Sequence, residues 1–175
     1  LGAPLRSASA GTLHDGDRIE TDAGPLIALA TPGHAPDHFA FHAPGLDAVF
    51  CGDLMLGGME TALVAAPEGD LTAYLDSLER VRALRPRIIH PAHGPPFEEP
   101  EAAIETYVRH RREREAQVLE ALRGLGDGDA ATLADAVYGR DLHPTLLDFT
   151  RRTIVAYLEH LERSARVRRV GGGWE

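Results

Sequence analysis

Three short apolar runs in the first hundred residues each stop at a tight turn that carries a histidine or an acid. Pro25 to Thr31 (PLIALAT) leads into Pro32-Gly33-His34. The run ending at Phe50-Cys51 leads into Gly52-Asp53, and Arg87 to His90 leads into Pro91-Ala92-His93-Gly94-Pro95. Apolar runs this short, bounded by Gly and Pro, read as buried strands rather than helices. His38 to Ala43 and Asp47 to Cys51 flank Pro44-Gly45 and predict a hairpin, and Asp15-Gly16 marks an earlier turn. Residues 69–85 change to helical period: Leu71, Tyr74, Leu75, Leu78, Val81 and Leu84 share a face, Asp70 is placed as an N-cap, and Pro86 ends the helix. Strands followed by a helix and a further strand predict an α/β layered unit over residues 1–100.

From residue 101 the pattern is mostly helical. Glu101 to Arg123 is one long amphipathic helix stopped by Gly124 and Gly126, with a charged face from Arg109 to Glu115 that reads as solvated. A second helix is predicted over Ala130 to Tyr138 and a third over Thr145 to Ser164. The tail from Arg166 to Glu175 alternates Val with Arg, passes three glycines and reaches Trp174, the pattern of a short hairpin. Three helices and a terminal hairpin are the pattern of a winged-helix module over residues 101–175, with Trp174 capping its core.

Charge narrows the partners. The formal net charge is −9, and residues 1–100 hold 6 Arg against 14 acidic residues. Such a surface argues against non-specific nucleic-acid binding by the chain as a whole. The one local exception is the cluster Arg163, Arg166, Arg168 and Arg169. No apolar run reaches the length of a membrane span, and Leu1 to Ala10 lack the pattern of a signal peptide. The single cysteine, Cys51, fits a reducing compartment, and a cytoplasmic location is expected. Cys51 itself reads as a small buried residue.

His34, Asp53 and His93, each just past a strand, are the residues whose types suit a metal. Neutral imidazole and carboxylate are good ligands for zinc, and function in layered α/β units concentrates where strands end in loops. The separations of 19 and 40 residues carry no local geometry, so only the fold can bring the three together. The competing reading is ordinary: turn histidines bonded to backbone and an aspartate acting as a cap. Asp37 and His38, beside the first turn, are candidates for supporting ligands or touching substrate. His90 reads as structural, and His42, His110, His143 and His160 as surface or core residues.

The runs TPGHAPDH (31–38), FCGD (50–53) and HPAHGPP (90–96) resemble the later metal motifs of the metallo-β-lactamase superfamily. The Thr-Pro-Gly-His-x-Pro-Asp-His variant, with the helical region after it, is similar to a β-lactamase-like branch that includes RNA-cleaving enzymes and ends in a winged helix. The resemblance implies the C-terminal half of an αββα sandwich over 1–100 and two zinc ions. His34 would bind the first, Asp53 would bridge both as the catalytic carboxylate, and His93 would bind the second. A hydroxide held between the metals would be the nucleophile. The superfamily's His-x-His-x-Asp-His motif is absent from the chain; His14 with Asp15 and Asp17 does not reproduce it. A half sandwich would expose an apolar sheet face, which favours pairing with another chain, and a homodimer is one expectation. Two substrate classes stay open: an RNA phosphodiester, and an acyl thioester or similar small ester. A third reading is a catalytically incomplete fragment serving as a binding or dimerisation module.

Overall fold

The apolar runs pair into one five-stranded sheet in the computed structural model, which describes residues 12–59, 61–139 and 143–175. Leu1 to Gly11, including the stretch read for a signal peptide, lie outside the described residues. The strands are β1 (Arg18–Ile19), β2 (Leu26–Ala30), β3 (Phe39–Ala43), β4 (Ala48–Gly52) and β5 (Ile88–Pro91), side by side in that order. The first four form an antiparallel meander, and β4 pairs with β5 in parallel. The β3–β4 hairpin turns through a 3-10 turn at Pro44–Leu46, where Pro sets the first φ and Asp47 adopts the left-handed region.

The parallel step requires a crossover, and α1 (Leu71–Ala83) supplies it. Asp70 caps α1 by accepting a hydrogen bond from the Ala73 amide at 3.0 Å. Leu71, Tyr74, Leu78 and Val81 face inward, and the helix ends before Arg85, whose φ is 50°. The pleat sends Leu29, Ala40, Val49, Cys51 and Ile89 to the same side, where they join Tyr74, Leu78 and Val81 in the core. The opposite face carries Phe41, Phe50 and His90 in one cross-strand row; Phe50 is 40% exposed and stacks on His90 at 5.2 Å. An α/β layer whose helices cover one sheet face and leave Phe50 exposed on the other is consistent with the partial sandwich that the resemblance implies.

Three helices and a hairpin follow: α2 (Pro100–Leu125), α3 (Ala130–Tyr138), α4 (Pro144–Arg163), β6 (Arg169–Val170) and β7 (Gly173–Trp174). Asp129 caps α3 through the Thr132 amide at 2.8 Å. Trp174 is buried, and its backbone pairs with Gly128. One apolar core runs from Leu29 in the sheet through Tyr107, Leu122 and Tyr157 to Trp174, so helices and sheet pack on each other without a break.

The charged face of α2 departs from expectation at one position. Arg111 is only 4% exposed. It falls on the buried stripe Ile104, Tyr107, Val108, Val118, Leu119 and Leu122. Helical period therefore overrides its charge and carries it inside.

Candidate metal centre at one end of the sheet

The sheet directions decide where the candidate residues meet. Two antiparallel steps separate β2 from β4, so both run the same way, and β5 runs parallel to β4. The C-terminal ends of all three strands therefore share one edge of the sheet, together with the start of β3. His34 follows β2, His38 precedes β3, Asp53 follows β4 and His93 follows β5.

His34 sits in a turn pinned to α1. Gly33 accepts a hydrogen bond from the Asp70 amide at 2.9 Å, and the Ser77 hydroxyl donates to Pro32 at 2.7 Å. The His34 Nδ1–H is directed at the Leu63 carbonyl, 2.8 Å away. That bond fixes the tautomer and leaves the Nε2 lone pair for another partner.

His38 is tied at both nitrogens. The Asp53 amide, which can only donate, lies 3.1 Å from Nε2, so Nδ1 must carry the ring proton. Nδ1 then donates to Thr31, whose hydroxyl and carbonyl oxygens lie at 2.8 and 3.1 Å. Burial holds the imidazole below its ordinary pKa, against the hydrogen bond to the Thr31 backbone, which raises it. His38 thus bridges the exits of β2 and β4. The bridge requires glycine at 52: its φ is +56°, and a Cβ there would lie 2.6 Å from His38 Nε2.

The loop after Asp53 is held from the helices. Tyr74 donates to the Leu54 carbonyl and Tyr107 to the Leu56 carbonyl, each at 2.8 Å. The Ala92 amide donates to Gly52 at 2.9 Å and the Gly57 amide to His93 at 2.8 Å, joining the exits of β4 and β5. The result brings His93 Nε2 to 3.6 Å from Asp53 Oδ1. That oxygen is buried and has no hydrogen-bond partner among the described residues. Asp37 lies exposed in the turn between His34 and His38. Burial pushes the Cys51 thiol up to about 12, so it is a poor nucleophile.

A buried carboxylate oxygen with no donor, facing an imidazole nitrogen, is the donor chemistry a divalent cation satisfies. The pair fits a metal in kind. In number it falls short: among the described residues no three His, Cys, Asp or Glu side chains converge closely enough to hold an ion. The rings of His34 and His38 stand edge to face with centroids 6.2 Å apart. Their place just past apolar runs marks His34, Asp53 and His93 in the sequence, but not the groups that hold their surroundings: Thr31, the Leu63 carbonyl, Tyr74 and Tyr107.

Comparison with known proteins gives the family and the fold. A family profile described as the metallo-beta-lactamase superfamily matches residues 2–93. A beta-lactamase-like protein 2 homolog of Caenorhabditis elegans is 31% identical over 124 residues, covering 71% of this chain and 40% of its own. An atrochrysone carboxyl ACP thioesterase of Aspergillus fumigatus is 31% identical over 169 residues, covering 90% of this chain and 51% of its own. Among solved structures, a metallo-beta-lactamase family protein of Thermus thermophilus superposes with a TM-score of 0.79 at 26% identity, covering 93% of this chain and 52% of its own. The chain thus spans about half the length, or less, of the relatives it matches.

Proposed function

The chain belongs to the metallo-β-lactamase superfamily, whose members bind metals and include hydrolases, and from that premise we propose that it carries part of the site of a metal-dependent hydrolase acting on an acyl thioester or similar small ester. The observation that carries the proposal is the orphaned Asp53 Oδ1, 3.6 Å from His93 Nε2, at the strand end where His34 keeps a free Nε2. His34, Asp53 and His93 would hold the metal, with zinc the expected ion. A bound metal supplies Lewis acidity and lowers the pKa of nearby water. The chain's own residues do the rest. Leu63 orients His34, His38 holds Asp53 by its backbone, and Tyr74 and Tyr107 fix the loop after Asp53.

The choice of an ester over an RNA phosphodiester rests on charge. Each arginine of the C-terminal cluster faces a carboxylate: Arg163 Asp70, Arg166 Glu115, Arg168 Glu175, and Arg169 Glu159. Paired arginines offer little free positive charge to a phosphate backbone. The residues after 100, read as a winged helix, would then serve packing rather than nucleic-acid binding. The thioesterase named among the relatives supports the same choice.

A second reading follows from donor number. With no three donors converging among the described residues, the chain by itself would bind a ligand or a second chain without catalysing a reaction. Zinc titrated into the metal-free chain separates the two. We expect saturable uptake that a His34→Ala, His93→Ala double variant loses. Equal uptake by both proteins, or none by the parent, removes these residues as ligands and leaves the non-catalytic reading. Where zinc binds, release of free thiol from a short acyl thioester of N-acetylcysteamine then tests the substrate class.

A further inference from the structure

A cavity of about 330 Å³ is lined by Leu56, Met59 and residues 61–64 on one side and by helices α2, α3 and α4 on the other. Its volume is that of a small-molecule site. Two features set it apart from a packing defect. Three of the large apolar side chains left exposed on the molecule, Met59 (55%), Leu63 (38%) and Phe149 (36%), line this one cavity. Exposed apolar groups gathered around a concavity mark a binding surface rather than chance exposure.

The second feature is Arg111, which also lines it. Its charge is buried, and its partners are the Ala62 carbonyl, the Tyr157 hydroxyl at 3.5 Å and the face of the Tyr74 ring at 4.8 Å. Its Nε has no hydrogen-bond partner, and no carboxylate pairs with it among the described residues. Other arginines in the helical region, such as Arg109, Arg152 and Arg163, face acids. Among the described residues this buried cation is met only by neutral oxygens and a ring, with no counter-ion. Arg114 stands beside it over the Tyr138 ring and lines the same cavity.

The geometry points to this cavity as a binding site for a small amphipathic carboxylate, its apolar chain among Met59, Leu63 and Phe149 and its carboxylate on Arg111. A guanidinium matches a carboxylate in charge and shape, and the pairing strengthens in a site shielded from water. Leu63 links this cavity to the metal centre: its side chain lines the cavity while its carbonyl orients His34. Occupancy by the acyl part of a substrate would rest on the hydrolase reading above; binding of the anion does not.

Calorimetric titration of octanoate into the metal-free chain, with octanol as the uncharged control, tests the site without any hydrolysis. Saturable one-site binding of octanoate is expected, at least about tenfold tighter than octanol, the scale of one charge-assisted contact. Arg111→Gln should weaken octanoate by about the same factor and leave octanol unchanged. Phe149→Asp, at the exposed rim, places a like charge at the mouth and should weaken octanoate while the fold, checked by circular dichroism, persists. That variant decides the matter if Arg111→Gln does not fold. No saturable octanoate binding by the parent overturns the proposal, as does equal affinity for octanol or an affinity unchanged in a folded variant. Zinc uptake is measured separately, so failure here and failure of the metal reading are told apart.

Discussion

Replacing Gly33 with Ala should be among the most damaging single-methyl changes in this chain. The residue has φ +129°, outside what L side chains adopt, and a Cβ would lie 2.3 Å from the Tyr74 Cα and 2.4 Å from its nitrogen. Both atoms are helix backbone and cannot swing aside. The backbone conformation alone costs about 1–3 kcal/mol. Relief of the overlap must lift the turn off α1, breaking the Asp70 amide to Gly33 and Ser77 to Pro32 hydrogen bonds. Those contribute about 1 kcal/mol each. The total, about 3–5 kcal/mol, is a large share of the ~5–15 kcal/mol that holds a domain. At a urea slope of about 2 kcal/mol per molar, the unfolding midpoint should fall by roughly 1.5–2.5 M. Gly45→Ala is the control, because a Cβ there meets nothing within 4 Å; its change should stay within about 0.5 kcal/mol. A Gly33→Ala midpoint within about 0.5 M of the parent would refute the close approach of this turn to α1.

Two further outcomes follow from the titratable groups. Arg163 beside Asp70 holds its carboxyl below the usual aspartate range, as Arg80 does for Asp15. A depressed folded pKa adds stability that is fully present above the unfolded value of about 3.9 and is lost as pH falls through the folded value. Urea midpoints should therefore decline below about pH 4, and Asp70→Asn, which keeps a cap but loses the Arg163 ion pair, should lower stability at pH 7 by no more than about 1 kcal/mol and flatten the acid limb. An acid limb as steep as the parent's would remove Asp70 as its source. Cys51, buried with its thiol at about 12, should resist iodoacetamide in the native chain and react once urea unfolds it. Mass spectrometry showing prompt native labelling would contradict that burial.

Much of the sheet was legible because its signals are local. Gly and Pro bracket each apolar run, so β2, β4 and β5 appear where PLIALAT, the run ending at Cys51, and RIIH place them. Helix α3 spans the predicted Ala130 to Tyr138, with Gly139 just past its end. That each candidate ligand follows a strand is legible for the same reason, whereas their meeting at one end of the sheet is set by strand order and direction. The supports were not legible. His38 reaches the backbone amide of Asp53, 15 residues away, and His34 reaches a carbonyl 29 residues away. No periodicity encodes a side chain bonded to distant backbone. Arg111 is the instructive miss, because its signal was present. Its spacing from Ile104, Tyr107 and Val108 puts it on the buried stripe, and there helical period outweighs charge.

The helices and the sheet edge make one mechanical unit. A strand end is a poor platform by itself: its loop carries backbone groups that need partners, and its side chains have freedom to lose. Here the partners come mostly from helices. Ser77 on α1 holds the turn before His34, Tyr74 and Tyr107 hold the carbonyls after Asp53, and Arg111 holds Ala62, next to the carbonyl that orients His34. Two of these four anchors come from α2, beyond residue 100. The helical region therefore sets how stiffly His34 and Asp53 are presented, even though it supplies neither. The same side chain that closes the loop under the metal-ligand candidates lines the cavity beside them, so an anion drawn to Arg111 would bear directly on the geometry of His34 through the 62–63 backbone.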